Sequence, residues 1–395
     1  MLTRREFLEG SIAGALLLSF NSLTFATDTE EVFPQGIASG DPTQRGFILW
    51  TRINPKVHAK MNKDLILQIA EDMDFKRVLM SGRVDGQRIR REEDYTLRID
   101  LKDGFETGKT YYYRFIYADV PSMVGRVKTL PEKAQEISLA FVVCQGYADG
   151  YYTAYRHIAQ EEVQLVLHLG DFIYERIYGR PRVPGRDLNL PSGQNIVQDL
   201  EDYRYLYRTY LLDPDLKLAR ATHPFVNTWD DHEFINDYYY DYSYEVWRGS
   251  YPSQARERLL QLRLASIRAW LEYIPARVST NFSNRDPLMW IRIYRDFNLG
   301  GLAHLIITDE RSYRDKQPCG KRYGAPGCPE QQKTTMLGDQ QLRWFKSKLK
   351  EGSYPWKVWA NSVQLAKSLT DGREGLALWT LGTATRGKDK RYWTF

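Results

Sequence analysis

The chain has 395 residues, of which 43% are apolar, 13% aromatic and 27% charged, and this excludes a disordered, collagen-like or disulfide-scaffold protein. A chain of that length can hold two domains, each able to bury a core without covalent staples. Lys and Arg number 55 against 50 Asp and Glu, a net +5, too mild and too dispersed to argue for a nucleic-acid-binding module.

Residues 1–26 carry an Arg4-Arg5 pair, an apolar stretch from Ile12 to Phe20, and Thr24 and Ala26 framing a small-residue cleavage site. That pattern predicts a twin-arginine export signal, with the Tat export machinery as a partner and a periplasmic or secreted destination. The apolar run is shorter than the roughly 20 residues of a membrane span, so no stable membrane anchor is expected. Cys319 and Cys328 bracket a Gly/Pro loop and are spaced to close a small disulfide, whereas Cys144 has no evident partner.

From 32 to 130 the runs GFILWTRI, LILQIAED, TLRIDL and YYYRFIY alternate between turn signals, as in a β-sandwich. In TLRIDL, Leu97, Ile99 and Leu101 are expected on a core face, and Thr96, Arg98 and Asp100 on a wet one. KTLPEKAQE (128–136) reads as a linker. After it SLAFVVCQG, VQLVLHLGD, FVNTWDDH, LAHLIITDE and WKVWANSVQL read as core strands, apolar on both faces. Leu260, Leu264, Ile267 and Leu271 recur at helical spacing, and a helix opened by Asp339 places Leu342, Phe345 and Leu349 on one face. Strands alternating with helices predict a layered α/β domain over 137–395. The segment 203–251 holds ten of the chain's 27 tyrosines and is expected to be a loop packed by its own rings.

Three of these strands run into clusters of metal-ligating side chains, where α/β sheets build their sites. The first ends at Cys144, the second at Asp171 in GDFIY, the third at WDDHE. Asp171 and Tyr174, three residues apart, can offer a carboxylate and a phenolate to one hard ferric ion, with Cys144 adding a thiolate. Asp171 can also bridge to a second cation, with Asp230, Asp231 and Asn236 supplying the oxygens that calcium or magnesium prefers. Such a centre suits phosphoester hydrolysis, and His232 is placed to contact a phosphate oxygen or protonate the leaving group. Taken singly, each residue has a plainer reading: a buried apolar thiol for Cys144, a turn aspartate for Asp171, helix caps for Asp230 and Asp231, a core histidine for His232. In DERSYRD (309–315) the Asp and Arg residues are expected to satisfy one another, and His304 is expected in the core.

The segments GIASGDPTQRGFILWTR, VVCQG, HLGDFIYE, TWDDHEFIND, TDERSYRD, LGDQQLRWFKSKL and WKVWANSVQL, in this order over residues 32–367, resemble the PhoD-like alkaline phosphatase family. The resemblance implies a fibronectin-like or immunoglobulin-like β-sandwich followed by a calcineurin-like metallophosphoesterase α/β sandwich. It also implies a secreted phosphomonoesterase and phosphodiesterase using Fe3+ with Ca2+. On that match Cys144, Asp171 and Tyr174 take the place of the iron ligands, Asp231 that of the metal-binding Asn of the wider superfamily, and His232 that of its phosphate-contacting histidine. Asp230 and Asn236 are weaker transfers.

The family pattern continues beyond WKVWANSVQL into a GD-x-H motif and further sheet, whereas from Ser368 this chain reads SLTDGREGLALWTLGTATRGKDKRYWTF. The expectation is therefore a metallophosphoesterase domain incomplete at its C-terminal end. The alternative function is that of a truncated, inactive remnant or surface binding module.

Overall fold

The computed structural model describes residues 2–3, 25–239, 254–286, 289–315 and 335–363. The Arg4-Arg5 pair, the Cys319–Cys328 loop, most of the tyrosine run at 237–244 and the tail after Ser368 lie outside the described residues.

In chain order the first half holds β1 (Leu2–Thr3), α1 (Phe25–Val32), β2 (Ile37–Gly40), β3 (Phe47–Arg52), α2 (Pro55–Met61), β4 (Leu65–Ala70), β5 (Val78–Val84), β6 (Thr96–Leu101), β7 (Thr110–Tyr117), β8 (Val120–Pro121) and β9 (Gly125–Lys128). The second holds β10 (Leu139–Val142), α3 (Thr153–Gln160), β11 (Leu165–His168), α4 (Leu200–Tyr210), α5 (Pro214–Thr222), β12 (Pro224–Asn227), α6 (Ala255–Tyr273), β13 (Ser279–Thr280), β14 (Ile291–Arg292), β15 (Arg295–Leu299), β16 (Ala303–Ile307), α7 (Gly338–Lys350) and β17 (Trp356–Ala360). No described helix is long and apolar enough to cross a membrane.

The alternating runs of the first half form two sheets around one core. Leu65, Leu67 and Ile69 of β4 and Tyr111, Tyr113 and Phe115 of β7 meet Phe47 and Leu49 of β3 and Leu97, Ile99 and Leu101 of β6. At about 1.5–3 kcal/mol for each large apolar side chain fully buried, this interface is the main stabilising term of the region. The linker marks no break in hydrogen bonding. Pro224 and Phe225 of β12 pair in parallel with Ser39 and Gly40 of β2, so one seven-stranded sheet, β1-β6-β3-β2-β12-β11-β10, crosses from one half to the other.

That continuity changes the environment of β6. Its second face is not wet: Thr96 and Asp100 are buried, Arg98 Nη1 donates to Leu271 O at 2.9 Å, and Arg277 pairs with Asp100 at 2.7 Å. The cover is α6. Its buried side runs through Leu259, Leu262, Ser266, Trp270 and Tyr273, displaced from the stripe expected at Leu260, Leu264 and Leu271, which is only half-buried. Trp50 Nε1 donates to Glu272 O at 2.7 Å and locks α6 to β3.

In the second half, β15-β16-β17 form a separate sheet. Leu165, Leu167 and Val226 of the large sheet pack on Phe297, Leu305 and Ile307 of the small one, and α7 covers the far side through Phe345 against Trp359. The layers are helix, sheet, sheet, helix. On α7 only Phe345 of the expected face is buried, and Leu349 is exposed. Among the described residues β10 and β17 are edge strands: β10 leaves Phe141 73% and β17 leaves Trp356 66% exposed.

The first part of the tyrosine-rich segment is helix α4, not loop. Asp199 caps it, accepting from Glu201 N at 2.9 Å and Asp202 N at 3.1 Å, and Tyr203, Tyr207 and Tyr210 are buried. Asp213 followed by Pro214 starts α5 in the same way.

Candidate metal centre

β10, β11 and β12 are parallel and in register, Val142 beside His168 and His168 beside Asn227. Their carboxyl ends therefore release three loops side by side. Backbone bonds strap the loops together: Cys144 N donates to Gly170 O at 3.2 Å, Gln145 N to Asp171 O at 3.1 Å and Thr228 N to His168 O at 2.9 Å. Cys144 at φ 57° and Asp171 at φ 55° adopt left-handed backbone, at about 1–3 kcal/mol each for non-glycine residues. Between the loops Gly170 has φ 112°, and a Cβ there would stand 2.4 Å from Asp230 N. Only glycine lets the second and third loops approach this closely.

The strained turns aim their side chains at one point. Cys144 Sγ and the Tyr174 hydroxyl each lie 3.2 Å from Asp171 Oδ2. Cys144 as a residue is exposed, and its thiol, turned inward to the Asp171 carboxyl, does not sit in an apolar environment. Asp171, Asp231 and His232 present ligand atoms that all lie within 4.8 Å of one another. The Tyr174 and His232 rings are 4.3 Å apart.

Burial, followed by the neighbouring Asp171 charge, raises the pKa of Cys144 and of Tyr174. Burial, then Asp230 and Asp231, raises that of Asp171. Burial also opposes ionisation of Asp231, but Arg311 and His232 outweigh it and hold this carboxyl at about 2. Burial disfavours the His232 imidazolium, yet Glu175 and then Asp231 prevail and raise its pKa.

Asp230 and Asn236 are directed elsewhere. Asp230 pairs with Arg311, through Nε and through Nη2 at 2.9 Å, and accepts from Ser362 Oγ at 2.8 Å. The Asn236 amide points at Asp237 Oδ2, 3.5 Å away. The expectation that DERSYRD satisfies itself does not hold for its arginines. The Arg311 guanidinium goes to Asp230 and, at 3.3 Å, to Asp231, while that of Arg314 goes to Tyr238 O at 2.9 Å. His304 is buried as expected, with Nε2 2.8 Å from Asp296.

Three further residues shape the centre. Glu175 holds His232 Nδ1 at 2.6 Å and accepts Asn236 N at 2.9 Å. Glu233 accepts the backbone N–H groups of Asp171, Phe172 and Asp230. Arg311 compensates the acidic pair. Glu175 and Glu233 stand inside the motifs GDFIYE and WDDHE, where their adjacency was the available signal; Arg311 is linked to Asp230 across 81 positions, beyond any local pattern.

The donors fit a cation. A thiol, a carboxyl and a phenol converge on one point, and the buried Asp231 Oδ1 is met among the described residues by the Arg311 guanidinium at 3.3 Å. Asp171, Asp231 and His232 form a buried group able to hold a metal ion, and the Cys144 thiol and Tyr174 phenol meet the Asp171 carboxyl beside it.

The chain is similar to known proteins. The description "PhoD-like phosphatase" matches residues 139–388 and "PhoD-like phosphatase, N-terminal domain" matches 21–131. Alkaline phosphatase D of Bacillus subtilis (strain 168) is 32% identical over 384 residues, covering 92% of this chain and 63% of that protein's length. This chain thus spans less than two thirds of that curated relative. A solved structure of PhoD superposes with a TM-score of 0.73 at 30% identity, covering 92% of this chain and 66% of that one. By sequence and by fold, the chain belongs to the PhoD-like phosphatase family.

Proposed function

We propose that this chain is an exported, metal-dependent phosphoesterase of the alkaline phosphatase D type, acting on phosphomonoesters and phosphodiesters. The observation that carries the reading is the convergence of Cys144 Sγ and the Tyr174 hydroxyl on one oxygen of Asp171. In this reading residues 32–130 are a sandwich domain and 137–395 the phosphoesterase domain. Cys144, Asp171 and Tyr174 would hold Fe3+. Asp171 and Asp231 would reach a second cation, Ca2+ or alternatively Mg2+, with Asp230 and Asn236, turned to Arg311 and to Asp237, left outside its ligand set.

Bound there, the ions supply Lewis-acid polarisation of the phosphoryl oxygen and a water of lowered pKa. The protein's own groups orient the ester and move protons. Glu175 accepts from Nδ1–H of His232 and, with Asp231, favours the imidazolium, whose Nε2–H can donate to a phosphoryl oxygen or to the departing alkoxide. Arg311 keeps Asp231 ionised without entering the reaction. Export follows from the Arg4-Arg5 signal and gives a periplasmic or secreted enzyme.

The test is to load the purified protein with iron and calcium, assay p-nitrophenyl phosphate and its bis-ester, and record the visible spectrum and metal content. Turnover together with a tyrosinate-to-iron absorption that Tyr174→Phe abolishes is the expected result. A protein that takes up neither metal and turns over neither ester overturns the proposal.

A further inference from the structure

Away from the three loops, α6 and the start of β6 enclose a groove of about 750 Å3. Strand register places it at the other end of the large sheet. Leu97 pairs with Thr51, and Thr51 with Ile37 at the amino end of β2, whereas β12 runs parallel to β2 toward the loops that carry the cluster. None of the groove's lining residues belongs to those loops.

Its chemistry is divided. One wall is the half-buried Leu264 and Leu271 of α6 with the buried Ile267 between them, and an aromatic pair, Phe282 and Trp290, stands edge to face with centroids 5.8 Å apart. Phe282 is 57% exposed. Trp290 is held by its Nε1 bond to Asn284 O at 2.8 Å.

Arg98 supplies the polar element. Its Nη1 donates to the carbonyls of Leu271 at 2.9 Å and Ile274 at 3.3 Å, and among the described residues no protein acceptor takes its Nε or Nη2. It forms no ion pair there, while the acids beside it are already matched. Glu93 pairs with Arg90 at 2.6 Å, and Glu272 takes the Arg204 fork at 2.6 and 2.7 Å and Arg268 at 3.2 Å. A partly desolvated guanidinium with donors to spare is costly unless an anion meets it. The volume falls in the range of about 300–1,000 Å3 typical of small-molecule sites.

We propose that this groove binds a small amphipathic anion, a flat aromatic body carrying a carboxylate or phosphate-type head, with Arg98 taking the head and Trp290 and Phe282 the body. The site is independent of the metal centre. Four arginines against two glutamates in the lining favour the anion over a neutral analogue, and the two remaining nitrogens of Arg98 suit a head group with paired oxygens.

The experiment titrates the full chain with 2-naphthoate, with naphthylmethylphosphonate, which no phosphatase cleaves, and with neutral 2-naphthalenemethanol, following tryptophan fluorescence and calorimetry. One-to-one saturable binding of an anion, at least tenfold tighter than the alcohol, is expected, and the stronger of the two anions identifies the head group. Leu264→Glu, which adds bulk and negative charge to the wall, should weaken binding at least tenfold. Phe282→Ala, at a position 57% exposed, should weaken it severalfold. Chelator and Tyr174→Phe should leave it unchanged. Absence of saturable binding, equal binding of the alcohol, insensitivity to both groove variants, or loss with chelator each overturns the proposal.

Discussion

Glu233 accepts the backbone N–H of Asp171 at 3.0 Å, and the same carboxylate takes Phe172 N at 2.7 Å and Asp230 N at 2.9 Å. One side chain thereby closes the second site loop onto the third, all within the buried interior. Burial pushes its carboxyl up to about 7, against the pull of those N–H groups. Glu233→Ala leaves three buried donors unpaired, at about 1–3 kcal/mol for each such group. The expected loss is at least about 3 kcal/mol in urea unfolding of the metal-free protein. A loss below about 1 kcal/mol would show that the loops hold without it.

Arg311 is fully buried and faces Asp230, Asp231 and Asp237, the last at 3.7 Å. Removing one member of a buried ionic group costs about 3–5 kcal/mol, because the remaining charges lose their partner without regaining water. Arg311→Met is expected to fall in that range. Arg311→Met with Asp230→Asn should recover part of the loss, so that a double-mutant cycle gives a coupling above about 1 kcal/mol. Strict additivity would refute the network.

The strands and the strand-end clusters were legible because both are local: an apolar run bounded by turns, and ligands a few residues apart at its end. What escaped reading was set by partners distant in sequence. Thr96, Arg98 and Asp100 alternate as a solvent face should, but α6 lies over them. The Leu260, Leu264 and Leu271 stripe has helical period, yet α6 is buried mainly along a neighbouring strip, since a period fixes an apolar side and not what covers it. Phe141 sits in a continuous apolar run that reads as a central strand, and nothing local says that β10 pairs on one side only.

On β10, the Phe141 side chain is 73% exposed, and among the described residues the strand pairs only with β11. An apolar side chain on an open edge invites pairing with another chain. Phe141→Lys is expected to leave unfolding free energy within about 0.5 kcal/mol, as for other surface substitutions. It should lower association measured by light scattering as concentration rises. Unchanged association would mean that this edge is covered.

His168, at the end of β11, is fully buried, and among the described residues its Nε2 has no hydrogen-bond partner. Burial, reinforced by Arg220, depresses its pKa from 6.5 to about 3. Between those two values the unfolded chain binds a proton that the folded chain refuses, so stability rises with pH across the window. The contribution is complete above pH 6.5 and is lost as pH falls toward 3, at a slope approaching about 1.4 kcal/mol per pH unit. His223, depressed to about 4 by burial and then Arg126, acts with the same sign. Urea midpoints taken from pH 7 to pH 4.5 in chelator should therefore fall steeply in the parent protein. In His168→Gln, whose side chain does not titrate, the slope should shrink by close to one proton's worth. Equal slopes in the two proteins would mean that His168 is protonated in the fold and that Nε2 has found an acceptor.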